Sequence, residues 1–425
     1  MGHRRQACTH FLAGAGMVVV AMTAVALFAI RGGNAHETRG THGTALPADL
    51  PTGITSFELP VSAVGGAAQA WTGERLLSFG SEPDRSTMVG YEPTSGKWSE
   101  YQLPPFAGYV ARSAAIWASG RLVVVGIGCS KPAFDRENGT TCFPGNWVSA
   151  GLDPTANEWT RYPEPKEPDP GTRGSTAYAI GAIDGKALFQ INDRYYLLDP
   201  VEGSWEPIAL PRRPSDAAPP LVCSTGPSVV AVHLNVADNP NLKDGPVEGN
   251  FSVQTFEPDS GSWTTDPSLD VDLLAPYFLN IACGGGGVLV YRSDFTELWN
   301  YTGATGSWTV GEAAPVEIVR REPPSGSDPN KLAIPSPVSL PFHSWTGREF
   351  VFWVGDSQAG VGPGSQPLTK WPGAGAAYDP QTGTWHAIAA GRDGDIPLDL
   401  WTGTCALFIS STIAGDNALT VYNPG

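Results

Sequence analysis

Along residues 54–425 apolar and polar positions alternate in short runs broken by Gly and Pro, with no long stretch at a helical period, and this pattern predicts strands throughout. Two of the breaks recur. In the first, Tyr91-Glu-Pro-Thr-Ser-Gly-Lys-Trp98, an aromatic residue stands seven positions before a tryptophan across a turn. The same spacing returns from Leu152 to Trp159, Leu198 to Trp205, Phe256 to Trp263, Tyr301 to Trp308 and Tyr378 to Trp385, and Tyr422-Asn-Pro-Gly425 opens a further copy. Pro93, Pro154, Pro200, Pro258 and Pro380 end one strand of each pair, since proline has no N–H to give a ladder. A Gly, replaced once by Asn157, is expected to supply the left-handed backbone of the turn. The Trp then enters the next strand as a large apolar plug whose N–H needs an acceptor, and these tryptophans are read as packing residues.

The second break lies upstream of the first: an apolar run, a tight turn with Gly, then a strongly apolar strand. It appears at Ala70-Trp-Thr-Gly73 before Leu76, Trp117-Ala-Ser-Gly120 before Leu122, Ile183-Asp-Gly185 before Ala187, and Thr225-Gly226 before Val229. It continues at Gly284 to Gly287 before Val288, Trp345-Thr-Gly347 before Phe350 and Trp401-Thr-Gly403 before Ala406. Two hairpins per unit give four strands, and a repeated four-stranded unit is the blade of a β-propeller. The pattern resembles kelch and galactose-oxidase-like repeats, although Gly80, Gly126 and Gly355 end second strands without the second glycine of the kelch signature. The resemblance covers nearly all of residues 54–425 and implies a fold but no activity. The last unit stops short of its fourth strand, and Phe57-Glu-Leu-Pro60 matches Tyr101-Gln-Leu-Pro104 and Ile208-Ala-Leu-Pro211, which follow motif tryptophans. The expectation is an all-β, seven-bladed β-propeller over 54–425, its ring closed by an N-terminal strand.

Residues 1–35 form a membrane-targeting segment: Arg4 and Arg5, then an uncharged run from Phe11 to Ile30, closed by Arg31. Both a cleaved signal peptide and a retained transmembrane signal anchor fit it, with Gly33-Asn34-Ala35 as small residues for cleavage. Either places the rest across the membrane, secreted or at the cell surface. Residues 36–53 are polar and unpatterned, a flexible linker. The first 35 residues hold three of the 26 basic residues and no acidic ones, which leaves 23 basic against 42 acidic for the remainder. Such an acidic domain is unsuited to nucleic acid and to an anionic bilayer, so membrane contact is expected only through the N-terminal segment. Five of the six cysteines follow the targeting segment, as in oxidising compartments. Cys129 and Cys142 bracket one connection and are expected to form a disulfide; Cys223 and Cys283 fall on neighbouring inner strands and are placed to bond, which would leave Cys405 a free buried thiol. Asn138, Asn250 and Asn300 head glycosylation sequons.

The turns between first and second and between third and fourth strands are uniformly tight, whereas Gly126–Asn146, His233–Asn250, Gly311–Leu340 and Gly355–Gly375 are long and all belong to the opposite face. Long loops on one face of a rigid scaffold mark a recognition surface. Tyr109, Arg112, Arg173, Tyr277, Arg320, Arg321, His343 and Trp371 fall on that side, and Arg112, Arg173, Tyr277, His343 and Trp371 are the ligand-binding candidates. An Arg there can hold a carboxylate or phosphate, and an aromatic can stack on a sugar. A copper-radical oxidase would need paired His and Tyr ligands, but the propeller region offers only His233, His343 and His386, the last on an outer strand. Asp259-Ser-Gly-Ser-Trp263 is one residue short of a sialidase Asp box, and no zinc spacing, phosphate loop or nucleophile elbow occurs. The reading is a noncatalytic exported propeller that binds a protein or glycan partner, without metal or cofactor. The alternative is a secreted carbohydrate-active or oxidoreductase enzyme with its site at the axial mouth.

Overall fold

The computed structural model describes residues 53–59, 68–81, 86–106, 109–129, 133–135, 139–141, 145–166, 176–192, 194–209, 220–225, 228–236, 247–258, 260–273, 279–292, 295, 297–314, 342–354, 374–388, 398–401, 405–411 and 417–423. After β1 (Gly53–Leu59), the first sheet is β2 (Ala68–Trp71), β3 (Leu76–Ser81), β4 (Ser86–Glu92) and β5 (Lys97–Glu100). The second has β6 (Tyr109–Ala118), β7 (Arg121–Cys129), β10 (Asn146–Asp153) and β11 (Glu158–Arg161), with a separate hairpin, β8 (Ala133–Asp135) and β9 (Gly139–Thr141), between β7 and β10. The third is β12 (Ala177–Ile183), β13 (Lys186–Ile191), β14 (Arg194–Asp199) and β15 (Ser204–Ile208). The fourth is β16 (Leu221–Ser224), β17 (Val229–Val236), β18 (Val247–Glu257) and β19 (Ser262–Thr265), joined by β20 (Leu269–Leu273). The fifth is β21 (Leu279–Gly284), β22 (Gly287–Arg292), β23 (Leu298–Thr302) and β24 (Ser307–Gly311), and the sixth β25 (Phe342–Trp345), β26 (Phe350–Val354), β27 (Ala374–Asp379) and β28 (Thr384–Ile388). In the last, β29 (Leu398–Trp401), β30 (Ala406–Ser411) and β31 (Asn417–Asn423) are joined by β1.

The sheets are antiparallel meanders, and their first strands are neighbours: β2 touches β6, β6 touches β12, β12 touches β16, β16 touches β21, β21 touches β25, β25 touches β29, and β29 touches β2. This is the architecture of a β-propeller, in which sheets stack face to face around an axis. The core therefore lies between sheets, and a middle strand must be apolar on both faces. On β7, Val123, Val125 and Ile127 pack with Phe189 and Ile191 of the third sheet, while Leu122 and Val124 pack with Leu77 and Phe79 of the first. The continuous run Leu122-Val-Val-Val125 is thus a period-2 strand read twice.

The recurrent turn behaves as its residues dictate. Gly96, Gly203, Gly261, Gly306 and Gly383 all have positive φ, between 60° and 71°, and Asn157 takes the same conformation at 55°. Each motif Trp stands opposite its partner seven positions back, as in Tyr91 opposite Trp98 and Tyr378 opposite Trp385. The indole N–H then reaches the preceding sheet: Trp159 donates to the Gln102 carbonyl at 2.6 Å, Trp205 to Pro163 at 2.8 Å and Trp263 to Ala209 at 2.7 Å. Trp308 and Trp385 do the same to Pro267 and Glu312. In every case the acceptor lies four residues after the previous motif Trp. One residue thus fills the gap between sheets and ties them by a directional bond. Trp98 differs, because among the described residues its buried indole N–H has no acceptor.

Ile54 stands opposite Tyr422 in the β1–β31 ladder, the register that a motif Trp occupies elsewhere. The match of Phe57–Pro60 to the segments following Trp98 and Trp205 is therefore a match of register. Three other features depart from the sequence reading. The connection expected from His233 to Asn250 begins and ends in strand, at 233–236 and 247–250, with Leu234 opposite Phe251 and Asn235 opposite Asn250; residues 237–246 lie outside the described residues. β20 was not expected as a strand; its Leu-Asp-Val-Asp-Leu alternation pairs along the extension of β18. Cys405 is disulfide-bonded rather than a free thiol, although buried as expected. Cys223 and Cys283 are bonded to each other across β16 and β21, with Cα atoms 6.0 Å apart. Among the described residues no helix is long and apolar enough to cross a membrane, and residues 1–35 and most of the 36–53 linker lie outside them.

Candidate functional site

The tight turns, 72–75, 93–96, 119–120, 154–157, 184–185 and their equivalents, lie at one end of the sheets, so the connections from second to third strand emerge at the other. That opposite face carries the built features. The β8–β9 hairpin stands on the β7–β10 connection. In the fourth sheet β17 and β18 continue past the level of a plain blade, and β20 folds back against the extension, with Glu248 opposite Asp272, Gly249 opposite Val271 and Asn250 opposite Asp270.

An open cavity of about 590 Å³ sits at this extension, lined by Asn235, Glu248, Gly249, Asn250, Asp270, Val271 and Asp272. Its chemistry is polar and acidic. Asn235 Nδ2 donates to Asn250 Oδ1 at 2.8 Å and lies 3.4 Å from Ser252 Oγ, while Asn235 Oδ1 is buried with no partner among the described residues. Val271 is buried, whereas Glu248, Asp270 and Asp272 are exposed. Like charges directly across a ladder, as at Glu248 and Asp272, repel, so the platform is held by its backbone pairs and by Leu269, Val271 and Phe251 packing into the core between fourth and fifth sheets. Such a surface offers acceptors to hydroxyl, amide or ammonium groups. Among the described residues no group of three His, Cys, Asp or Glu is placed to hold a metal ion.

Of the residues singled out from the sequence on that face, Tyr109, Arg112 and His343 have described backbone. Arg112 lies within β6 at a β-bulge, where Arg112 and Ser113 oppose one position of β7 between the pairs Ala111–Ile127 and Ala114–Val125. The neighbouring inner strand β12 is bulged as well, at Ile180 between Ala179 and Gly181, and a bulge re-aims the chain locally. His343 stands on the inner strand β25 opposite Phe352. Tyr109 begins β6. Arg173, Tyr277, Arg320, Arg321 and Trp371 lie outside the described residues, as does Cys142; Cys129 ends β7. His386 is on the outer strand β28, as expected, and bonds Tyr422. His233 is buried in the fourth sheet with Nε2 3.0 Å from Gln254 Oε1. The sequon at Asn300 is closed in the fold, since Asn300 is 7 % exposed in the middle of the fifth sheet.

The cavity residues were not legible from the chain. Asn235, Glu248 and Asn250 fell inside a stretch read as loop, and the alternation of Leu269 to Leu273 was the available signal. No protein-family model matches the chain, and no curated protein matches it. Among solved structures it is similar to YCF48 from Cyanidioschyzon merolae, at 10 % identity and TM-score 0.42, over 88 % of this chain and 99 % of that one. It is also similar to the β-propeller domain of Cps50 (Swd1) from Myceliophteria thermophila, at 11 % identity and TM-score 0.44, over the same shares. Likeness at this level carries nothing about ligand or chemistry.

Proposed function

We propose that this chain is an exported, seven-bladed, kelch-like propeller, closed by its N-terminal strand, that binds a protein or glycan partner through the face opposite the tight turns and performs no chemistry on it. The β17–β18–β20 platform with its polar cavity carries this reading. A strand extension beyond the four strands of a plain blade, opening a cavity lined by amides and carboxylates, is what a recognition surface built on a rigid ring requires. Export is supported by the Arg4–Arg31 segment and by the disulfide between β16 and β21. The partner contacts include Arg112, Arg173, Tyr277, His343 and Trp371 around the mouth, and Asn250 and Asp270 at the platform.

The test is a glycan array and a pull-down from the exported fraction with the purified full-length chain, followed by affinity measurements on variants. Asp270→Ala, Asn250→Ala and Trp371→Ala are expected to weaken binding, the strongest by ~2 kcal/mol or about thirtyfold. Glu202→Ala, on an exposed tight turn, is expected to leave it unchanged. Loss in Glu202→Ala alone places the partner on the wrong face, and turnover of a bound glycan assigns the enzyme reading instead.

A further inference from the structure

The fourth sheet stands taller than the third, and the step between them has a polar wall. Ala187 faces Leu198 in the third sheet as Val229 faces Phe256 in the fourth, each pair with its motif Trp, so the two sheets align residue by residue. On this alignment the third sheet ends with Ile191 opposite Arg194, the level of His233 and Ser252. β17 runs on through 234–236 and β18 through 247–251, and β20 pairs with that same stretch of β18. Alternation divides this extension between two faces. Leu234, Phe251 and Leu269 lie opposite one another and belong to the core shared with the fifth sheet. The next row, Asn235, Asn250 and Asp270, points towards the third sheet, as Val229 and Phe256 do lower down, and Glu248 and Asp272 follow in the same sense. No described strand of the third sheet reaches that level, and the cavity of about 590 Å³ opens there.

The end of the third sheet forms a ledge that carries an aromatic ring. Asn192 gives its N–H to the Thr176 carbonyl at 2.9 Å, and its own carbonyl accepts from Gln190 Nε2 at 3.0 Å, which fixes the ledge beside the start of β12. Tyr178 lies opposite Gln190, on the face whose Leu188 packs with Val229 and Phe256, so it stands on the side of the fourth sheet. It is 54 % exposed, whereas Tyr195 and Tyr196 of the same sheet are buried. Gln190 aligns with Val232, so strand rise and sheet spacing put the Asn235 row ~10 Å above Tyr178 and ~10 Å across the step, a separation of about 15 Å. No Lys or Arg is among the residues lining the cavity.

We propose that this step is a saccharide-binding groove, in which an oligosaccharide without acidic groups stacks one ring on Tyr178 and gives its hydroxyls to Asn250, Asp270 and Asp272. The proposal rests on the reading of the platform as the recognition surface and narrows its partner to a glycan. A pyranose asks two things of a site: an aromatic ring to cover its C–H face, and acceptors for the hydroxyls around its rim. The ledge supplies the first and the wall the second. The distance between them calls for a chain of sugars rather than a single ring. Carboxylates without a neighbouring cation repel uronic, sialic and sulfated sugars. A docked protein would seek a central apolar or aromatic anchor site, and the wall offers amides and carboxylates instead.

The test is an array of neutral, N-acetylated and acidic oligosaccharides probed with the full-length chain, followed by calorimetric titration of the sugars captured. Capture of neutral or N-acetylated sugars is expected, with Tyr178→Ala weakening affinity about tenfold, Tyr178→Phe leaving it nearly unchanged and Asp270→Ala weakening it about tenfold or more. Loss in Asp270→Ala with none in Tyr178→Ala keeps the platform and overturns the groove. Loss in neither overturns both. Capture of acidic sugars alone, or of no sugar, also overturns the groove, and a protein partner whose binding still falls in Asp270→Ala would then keep the platform. If Tyr178→Ala does not fold, nitration of the unsubstituted chain decides: a captured sugar should shield Tyr178, as read by peptide mapping, and equal nitration with and without it overturns the proposal.

Discussion

At the scale of single residues, the motif tryptophan joins two functions that can be separated by substitution. Trp159→Phe keeps most of the apolar plug and loses the bond to the Gln102 carbonyl, so it should cost ~1 kcal/mol beyond the lost ring area. Trp98→Phe removes an N–H that is buried and, among the described residues, unpartnered, and its cost should be smaller. Urea unfolding of the two variants compares them directly, and an equal loss would mean that the indole bonds contribute nothing. Gly151 leaves room for Tyr162 of its own sheet, for a Cβ there would run into the Tyr162 side chain, whose hydroxyl is fixed on the Pro200 carbonyl of the next sheet. Gly151→Ala should therefore destabilise by ~1–3 kcal/mol in the same assay, despite lying in a strand where alanine is otherwise tolerated.

The buried tyrosines set the alkaline limit. Burial pushes Tyr91 up to about 12 and raises Tyr162, Tyr301, Tyr378 and Tyr422 as well. A phenol whose folded pKa lies above its unfolded value stabilises fully below ~10, the unfolded value, and that contribution is lost as pH rises through the folded one. Tyrosinate absorbance should accordingly lag the ordinary phenol titration and rise together with loss of the strand circular dichroism. A full titration near ~10 with the fold intact would show these rings to be accessible.

Among the elements, the β22–β23 connection stores strain for packing. Phe295 has φ of 53°, costly for a bulky residue, yet is 2 % exposed, stacked on Tyr291 and edge-on to Phe352 and Trp385, with its carbonyl bonded by Ala314 N–H. Phe295→Ala should lose ~3–5 kcal/mol of packing, which relief of the backbone cannot restore. The β1 strand is the other element whose role is open to a direct test. Deleting residues 36–50 should leave the melting temperature nearly unchanged, whereas deleting 36–62 removes the seven-residue ladder to β31 and should lower it sharply. Equal melting of both deletions would show that β1 closes nothing.

For the whole molecule, stability depends on how neighbouring sheets are held, and the means differ from junction to junction. Indole bonds serve at five junctions, the Cys223–Cys283 disulfide adds a covalent tie between the fourth and fifth sheets, and a buried hydrogen bond from the Tyr422 hydroxyl on β31 to Glu349 Oε1, in the turn before β26, serves between sixth and seventh. The disulfide closes a separation of 60 residues, for which the chain-entropy model gives roughly 4 kcal/mol. The double variant Cys223→Ala, Cys283→Ala should unfold at lower denaturant with the same fold, as read by the midpoint and the circular dichroism, and an unchanged midpoint would make the bond dispensable.

What the chain determined by itself is what depends on neighbouring residues. Alternation at period 2 made the strands legible, and the Gly or Asn of each turn set the positive φ found at Gly96 and Asn157, because both are properties of a few consecutive residues. The repeat then gave the order of strands, and the β1 match could be read because it reuses the same local pattern. The tertiary structure alone decided the rest, since it rests on pairs far apart in sequence. The pairing of β20 with the β18 extension turned a supposed loop into the wall of a cavity, and the Arg112 bulge exists only in the register of β6 against β7. Glu349 and Tyr422, 73 positions apart, carry no shared signal in the chain. Their contact follows from sheets packed face to face around an axis, which brings the turn of one blade beneath the third strand of the next.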